Sequence, residues 1–99
     1  MIEESLNAVH ADGTRMTITI KIASPTPCEN PKGDWVTDVS LSPFFVSPPK
    51  IYGISALQSL SLSLSLVRKT LDGFQKMGGK IMTEEGEVLG PVADWLESR

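Results

Sequence analysis

Ser55-Ala56-Leu57-Gln58-Ser59-Leu60-Ser61-Leu62-Ser63-Leu64-Ser65-Leu66 is the stretch on which the fold turns, because it fits two secondary structures. Residues 60–66 alternate leucine and serine with period two, as a half-buried strand does. A longer window reverses that reading. Ile54, Leu57, Leu60, Leu64, Val67, Leu71 and Phe74 recur at spacings of three or four, a stripe about 100° wide on a helix. Gln58, Ser61, Ser65, Arg68, Lys69, Asp72 and Lys76 then collect in one opposing polar wedge. Ser55 supplies an N-cap with Gln58 three residues on, and Gly78-Gly79 supplies a stop after Lys76. Asp72 and Lys76 form a favourable i,i+4 pair. The spacing predicts one long helix over residues 55–77.

Between stripe and wedge lies a third sector of Ser59, Leu62, Ser63, Leu66, Thr70, Gly73 and Met77, in which large apolar residues alternate with small ones. The apolar arc approaches about 250°, more than one face of a small sheet covers. Val92, Trp95 and Leu96, spaced as one amphipathic helical turn, are one candidate cover for this band. A second protomer and a different protein are the others.

Working outward, residues 15–22 alternate without a fault, with Met16, Ile18, Ile20 and Ile22 on one face. Upstream, Ala11-Asp12-Gly13 reads as a three-residue hairpin loop with Gly13 left-handed. That register pairs Ala8 with Met16, Leu6 with Ile18 and Ile2 with Ile22, whereas a two-residue loop would set Asn7 and Ser5 against the isoleucines. Residues 24–34, with Pro25, Pro27, Asn30, Pro31 and Gly33, form a loop long enough to be packed or to bind. A third strand follows at 35–41, carrying Trp35, Val39 and Leu41 on one face. Pro43 and Pro48-Pro49 bracket Phe44-Phe45-Val46, which confines that piece to an edge strand or extended loop. Residues 50–52 suggest a short strand entering the helix, and 80–83 a strand leaving it, with Glu85-Gly86 as a turn towards Val88-Leu89. The expected architecture is one α+β domain over residues 1–99: an antiparallel β-meander with one long helix across one face.

Composition bounds the function. The chain has 99 residues, 40% hydrophobic and 21% charged, with a net charge of −3. The charge is uneven: residues 51–83 are basic through Arg68, Lys69, Lys76 and Lys80, and both ends are acidic. One cysteine, an acidic amino terminus and the lack of a long apolar run predict a cytoplasmic protein with no membrane span. Nucleic acid is not expected as a partner, because Asp72 interrupts the basic helix face and the isoelectric point is about 5.0.

No catalytic or metal-binding constellation is legible, so neither a cofactor nor an enzymatic activity is expected. His10 sits alone beside a turn, where a solvated imidazole is the default. Cys28 has no basic neighbour to lower its pKa. Asp34 and Asp38 share strand parity, yet Val36 and Ser40 between and beyond them mark a solvated face. Glu84, Glu85 and Glu87 lack the ligand spacing of a calcium loop. Gly78-Gly79-Lys80 ends a helix instead of opening one, so it cannot cradle phosphate.

Trp35 after a proline-rich loop, followed by Gly53-Ile54-Ser55-Ala56-Leu57-Gln58-Ser59-Leu60, resembles a group of small bacterial domains of unknown function. These carry a strand tryptophan and a Gly-x-x-Ala-Leu-Gln-x-Leu helix start, and the likeness covers roughly residues 15–91. This chain departs from the group in placing serine at helix positions where alanine is usual. The resemblance implies the fold and no chemistry; by analogy it points to immunity or inhibitor proteins. The expected function is therefore a non-enzymatic protein-binding module of inhibitor, immunity or anti-defence type, from a bacterium or phage, that occludes a protein partner or a second copy of itself. Contact residues are expected at Leu62 and Leu66 on the helix and at Phe44, Phe45 and Trp35 near the proline-bounded loops. The alternative is a small-molecule-binding or enzymatic domain with a pocket between helix and sheet near Trp35 and Tyr52.

Overall fold

The computed structural model describes residues 2–29, 33–45 and 47–96. Asn30 and Pro31 of the proline-rich loop, Val46, and the terminal residues 97–99 lie outside them. The elements are β1 (Ile2–Val9), β2 (Arg15–Ile22), β3 (Thr26–Pro27), β4 (Trp35–Ser42), β5 (Lys50–Gly53), α1 (Ala56–Lys76), β6 (Lys80–Met82) and α2 (Val92–Trp95). The fold is α+β, an antiparallel sheet of six strands among the described residues with one dominant helix packed on it.

The β1–β2 hairpin adopts the register that the apolar faces demand: Ala8 opposite Met16, Leu6 opposite Ile18, Ile2 opposite Ile22. Gly13 has φ +91°, which lets the three-residue loop close with His10 N–H bonded to Thr14 C=O at 2.8 Å. Thr14 N–H donates to the Asp12 carboxylate, and this bond holds the Asp12 carboxyl below its usual pKa. Strand β4 is shared. Residues 35–38 pair with β5, while 39–42 pair with β2, and β3 caps the start of β4. The helix then carries the chain across the sheet, so that β6 joins the far side of β1, with Ile81 opposite Ala8. Phe44 and Phe45 lie in a tight turn, both N–H groups bonded to Leu41 C=O, instead of extending as an edge strand.

Helix α1 begins as its sequence dictates. The Ser55 hydroxyl accepts from Gln58 N–H at 3.1 Å, and the Gln58 side chain accepts from Ile54 N–H at 2.7 Å. At the other end Gly78, with φ +94°, donates to Gln75 C=O and Gly79 to Phe74 C=O, the paired bonds of a Schellman stop.

Which face of the helix is buried corrects the sequence reading. The residues sealed against the sheet are Ser59, Ser63, Val67, Leu71 and Phe74. Ile54 and Leu57, expected at the head of the core stripe, are 78% and 77% exposed. Ser59 and Ser63, expected between stripe and wedge, are fully buried. Four-residue steps wind about 40° around a helix, so the contact line drifts from the serines at one end to Leu71 and Phe74 at the other. The serine hydroxyls are satisfied where they lie. Ser59 donates to Ile51 C=O at 2.7 Å and accepts from Thr37 at 2.6 Å, while Ser63 donates to Ser59 C=O at 2.8 Å. Small hydrogen-bonded side chains let the helix descend onto β4 and β5, and the leucines straddle the serine line. Leu60 and Leu64 pack against the core on one shoulder, and Leu62 and Leu66 occupy the other.

Below this helix the core gathers Leu6, Ala8, Ile18, Ile20, Ile22, Val39, Leu41 and Ile81 from the sheet. Burying each of the larger side chains stabilises the fold by roughly 1.5–3 kcal/mol. The polar bridge between helix and sheet has its own expected signature. Ser59→Ala strands both the Ile51 carbonyl and the Thr37 hydroxyl and should cost about 2 kcal/mol. Thr37→Val leaves the Ser59–Ile51 bond intact and should cost well under that. The double variant should be more stable than the sum of the two by at least about 0.5 kcal/mol in urea unfolding; simple additivity would mean the two hydroxyls do not act together.

Candidate functional site

The shoulder bearing Leu62 and Leu66 continues at helical spacing through Thr70, Gly73 and Met77. Its second half forms one wall of a pocket of about 590 Å³. Lys69, Thr70, Gly73, Phe74 and Met77 come from the helix, His10, Ala11 and Asp12 from the hairpin tip, and Phe44 from the turn after β4. Phe74 is the hub of the floor. Its ring meets the edge of Phe44 at 5.7 Å and that of His10 at 5.3 Å between centroids, both T-shaped. A side chain at Gly73 would meet open space, so the groove is clear at that point of the wall.

Three of the five expected contact residues thus belong to one surface. Leu62, 46% exposed, and half-buried Leu66 lie one to two turns from the pocket on the same flank, and Phe44 lines the pocket itself. Phe45 is half-buried against the core. Trp35 stands apart: on β4 it faces Pro27 on one side and Gly53 on the other, near the opposite end of the helix. The apolar pocket is therefore not the one expected near Trp35 and Tyr52. His10 is exposed, as expected beside the turn, and its ring also packs edgewise against Phe74. No periodicity in the sequence signals that contact, because it depends on where the helix ends relative to the hairpin.

The carboxy-terminal segment does not cover this flank within the described residues. It fastens to Gln75, whose side chain accepts from Val92 N–H at 2.9 Å and donates to Gly90 C=O at 3.0 Å. Trp95 closes the same junction by donating to Gly90 C=O. Gln75 follows Leu66 by nine residues, which places it about 180° around the helix. The tail sits on the far shoulder.

Two of the polar groups around the pocket are committed elsewhere. The Asp12 carboxylate holds the hairpin turn through Thr14, and the Thr70 hydroxyl donates to Leu66 C=O at 2.9 Å. Among the basic residues of the helix face, Lys76 pairs with Asp72 at 3.0 Å, whereas Lys69 stands exposed at the rim of the groove. Among the described residues no group of three or more His, Cys, Asp or Glu side chains is placed to hold a metal ion, and no helix is long and apolar enough to cross a membrane. No protein-family model matches this chain, and no curated protein or solved structure matches it either.

Proposed function

We propose that this chain is a non-enzymatic protein-binding module of the inhibitor or immunity type, acting by occluding its partner through the Leu62–Met77 flank and the pocket that ends it. The observation that supports this reading is the continuity of the surface: exposed Leu62 and half-buried Leu66 on the long helix lead into a concave apolar pocket floored by Phe44 and Phe74. Such a surface suits a central buried anchor with a polar rim. The partner supplies an apolar side chain to the pocket and an acidic group facing Lys69. Catalysis has little to work with here, since the Asp12 carboxylate and the Thr70 hydroxyl are already engaged and, among the described residues lining the pocket, none supplies a further nucleophile beside His10.

The test is comparative capture from host lysate with the wild type, with Leu62→Glu/Leu66→Glu and with the control Ile54→Ser. A protein recovered by the wild type and the control, but reduced at least about tenfold by the double variant, is the expected result. Equal recovery by all three would remove the flank from the interface. Sedimentation of the same proteins covers the self-partner case: a dimer abolished by the double variant would make a second copy the occupant.

A second reading rests on the volume alone, since about 590 Å³ lies within the range of small-molecule sites. Reproducible thermal stabilisation by a metabolite, abolished by Gly73→Leu at the open wall, would favour it over the protein partner.

A further inference from the structure

We infer that the first half of β1 is an acceptor edge for a basic, extended peptide, which would add to the sheet as a strand alongside residues 2–6. This surface is separate from the groove. It lies at the opposite end of β1 from the hairpin tip, about 25 Å away at the rise of a strand.

The unpaired backbone carries the inference. Strand β1 is paired over its whole length with β2, but β6 reaches only Asn7, Ala8 and Val9. Beyond Met82 the chain turns away, Gly86 N–H bonding to Thr83 C=O and Thr83 N–H to Glu87 C=O, and Leu89 returns to the outer side of β6 at Ile81. Which groups are left open follows from the hairpin. His10 N–H points to Thr14 on the β2 side, so by alternation the even residues of β1 bond to β2. The odd residues face β6. Asn7 and Val9 meet Met82 and Lys80 there, while Glu3 and Ser5 present their N–H and C=O groups to the open side.

Charge names the occupant. The gap left by the short β6 is a notch of about 460 Å³ lined by Glu3, Glu4, Ser5, Leu6, Thr83, Glu84 and Glu85. Glu3 has a distant exposed contact with Lys21 at 3.8 Å; among the described residues no cation pairs with Glu4, Glu84 or Glu85. Two copies of β1 placed edge to edge would bring their glutamates together, so self-pairing is opposed. A strand carrying lysine or arginine gains backbone bonds and neutralises the notch at once. Exposed Ile2, 50% accessible on the helix-side face, would be covered by an apolar residue of the same strand.

The experiment uses the full chain and a capped peptide of roughly eight residues alternating lysine and valine. Amide exchange followed by NMR should show Glu3 and Ser5 slowed at least about tenfold by the peptide, with binding weakened by salt. The same peptide N-methylated on alternate amides, a glutamate–valine peptide, and the variant Glu4→Gln/Glu84→Gln/Glu85→Gln should each abolish the effect. The groove variant Leu62→Glu/Leu66→Glu should retain it, so this edge and the groove stand or fall separately. Binding without protection of Glu3 and Ser5, or no binding at saturating peptide, would overturn the inference. In the second case the glutamates serve only to guard the edge against association.

Discussion

Gly53→Ala is expected to destabilise the protein by about 3 kcal/mol, although alanine is the smallest possible addition. A Cβ at this buried glycine would stand 2.6 Å from Ser59 N, 2.9 Å from Ser59 Cα and 3.1 Å from Gln58 C. All three are backbone atoms of the helix's first turns, so no side-chain rotation relieves the clash. The helix must lift from β5, and the Ser59 bonds to Thr37 and Ile51 go with it. The opposing effect is small: fewer unfolded conformations for alanine are worth about 0.4–1 kcal/mol. For a domain of this size the net loss lowers Tm by on the order of 15 °C. Urea unfolding decides the matter. A change within about 0.5 kcal/mol would mean that the close approach is not as drawn, and Ser59→Ala combined with Gly53→Ala should rescue nothing, because the obstacle is main chain.

At the other end of the helix, Phe74→Ala should cost about 3–5 kcal/mol, the usual range for deleting a core aromatic. Phe74 is only 8% exposed, its ring stacks edgewise with His10 and Phe44, and it lies over Gly79, where a Cβ would meet ring carbons at 2.5 Å. Removing the ring takes away the floor of the groove as well as part of the core. Chemical denaturation gives the stability loss, and the His10 ring protons give the local readout. Their ring-current shifts should collapse towards free-imidazole values in Phe74→Ala and persist in Leu62→Glu, which leaves the core alone. Unchanged His10 shifts in Phe74→Ala would show that the imidazole does not rest on this ring. Should partner binding fail in Leu62→Glu with stability intact, the groove reading gains support; loss in Phe74→Ala alone would point to misfolding.

Much of this architecture was legible in the chain before folding. The alternation of residues 15–22 and the demand that Leu6 and Ala8 face inward set the hairpin register, because a slip of one residue would turn every side chain to the wrong face. The Ser55–Gln58 cap and the Gly78-Gly79 stop bounded α1 because both depend on neighbours within a turn. Leu62, Leu66 and Phe44 could be singled out as unusual for similar reasons. What escaped was which of them meet. Phe44 reaches the helix through a turn whose path periodicity does not describe, and His10 and Met77 join the same pocket from opposite ends of the chain's middle.

The sequence by itself determined the β1–β2 hairpin, the caps and the existence of one long helix, since these follow from local spacing and local hydrogen bonds; β3, inside the loop expected over residues 24–34, exists only through its pairing with β4. Only the tertiary structure decided which side of that helix faces the sheet. Hydrophobicity assigns the leucines to the interior, but the depth to which a helix can sink depends on the volume beneath it, and Gly53, Thr37 and Ile51 offer room and partners for serine. Ser59 and Ser63 therefore went inside, and the leucines were left on the shoulders. One shoulder packs against the core beside the tail; the other, bearing Leu62 and Leu66, is left uncovered by the tail within the described residues. Packing geometry, which no count of apolar residues contains, made that choice.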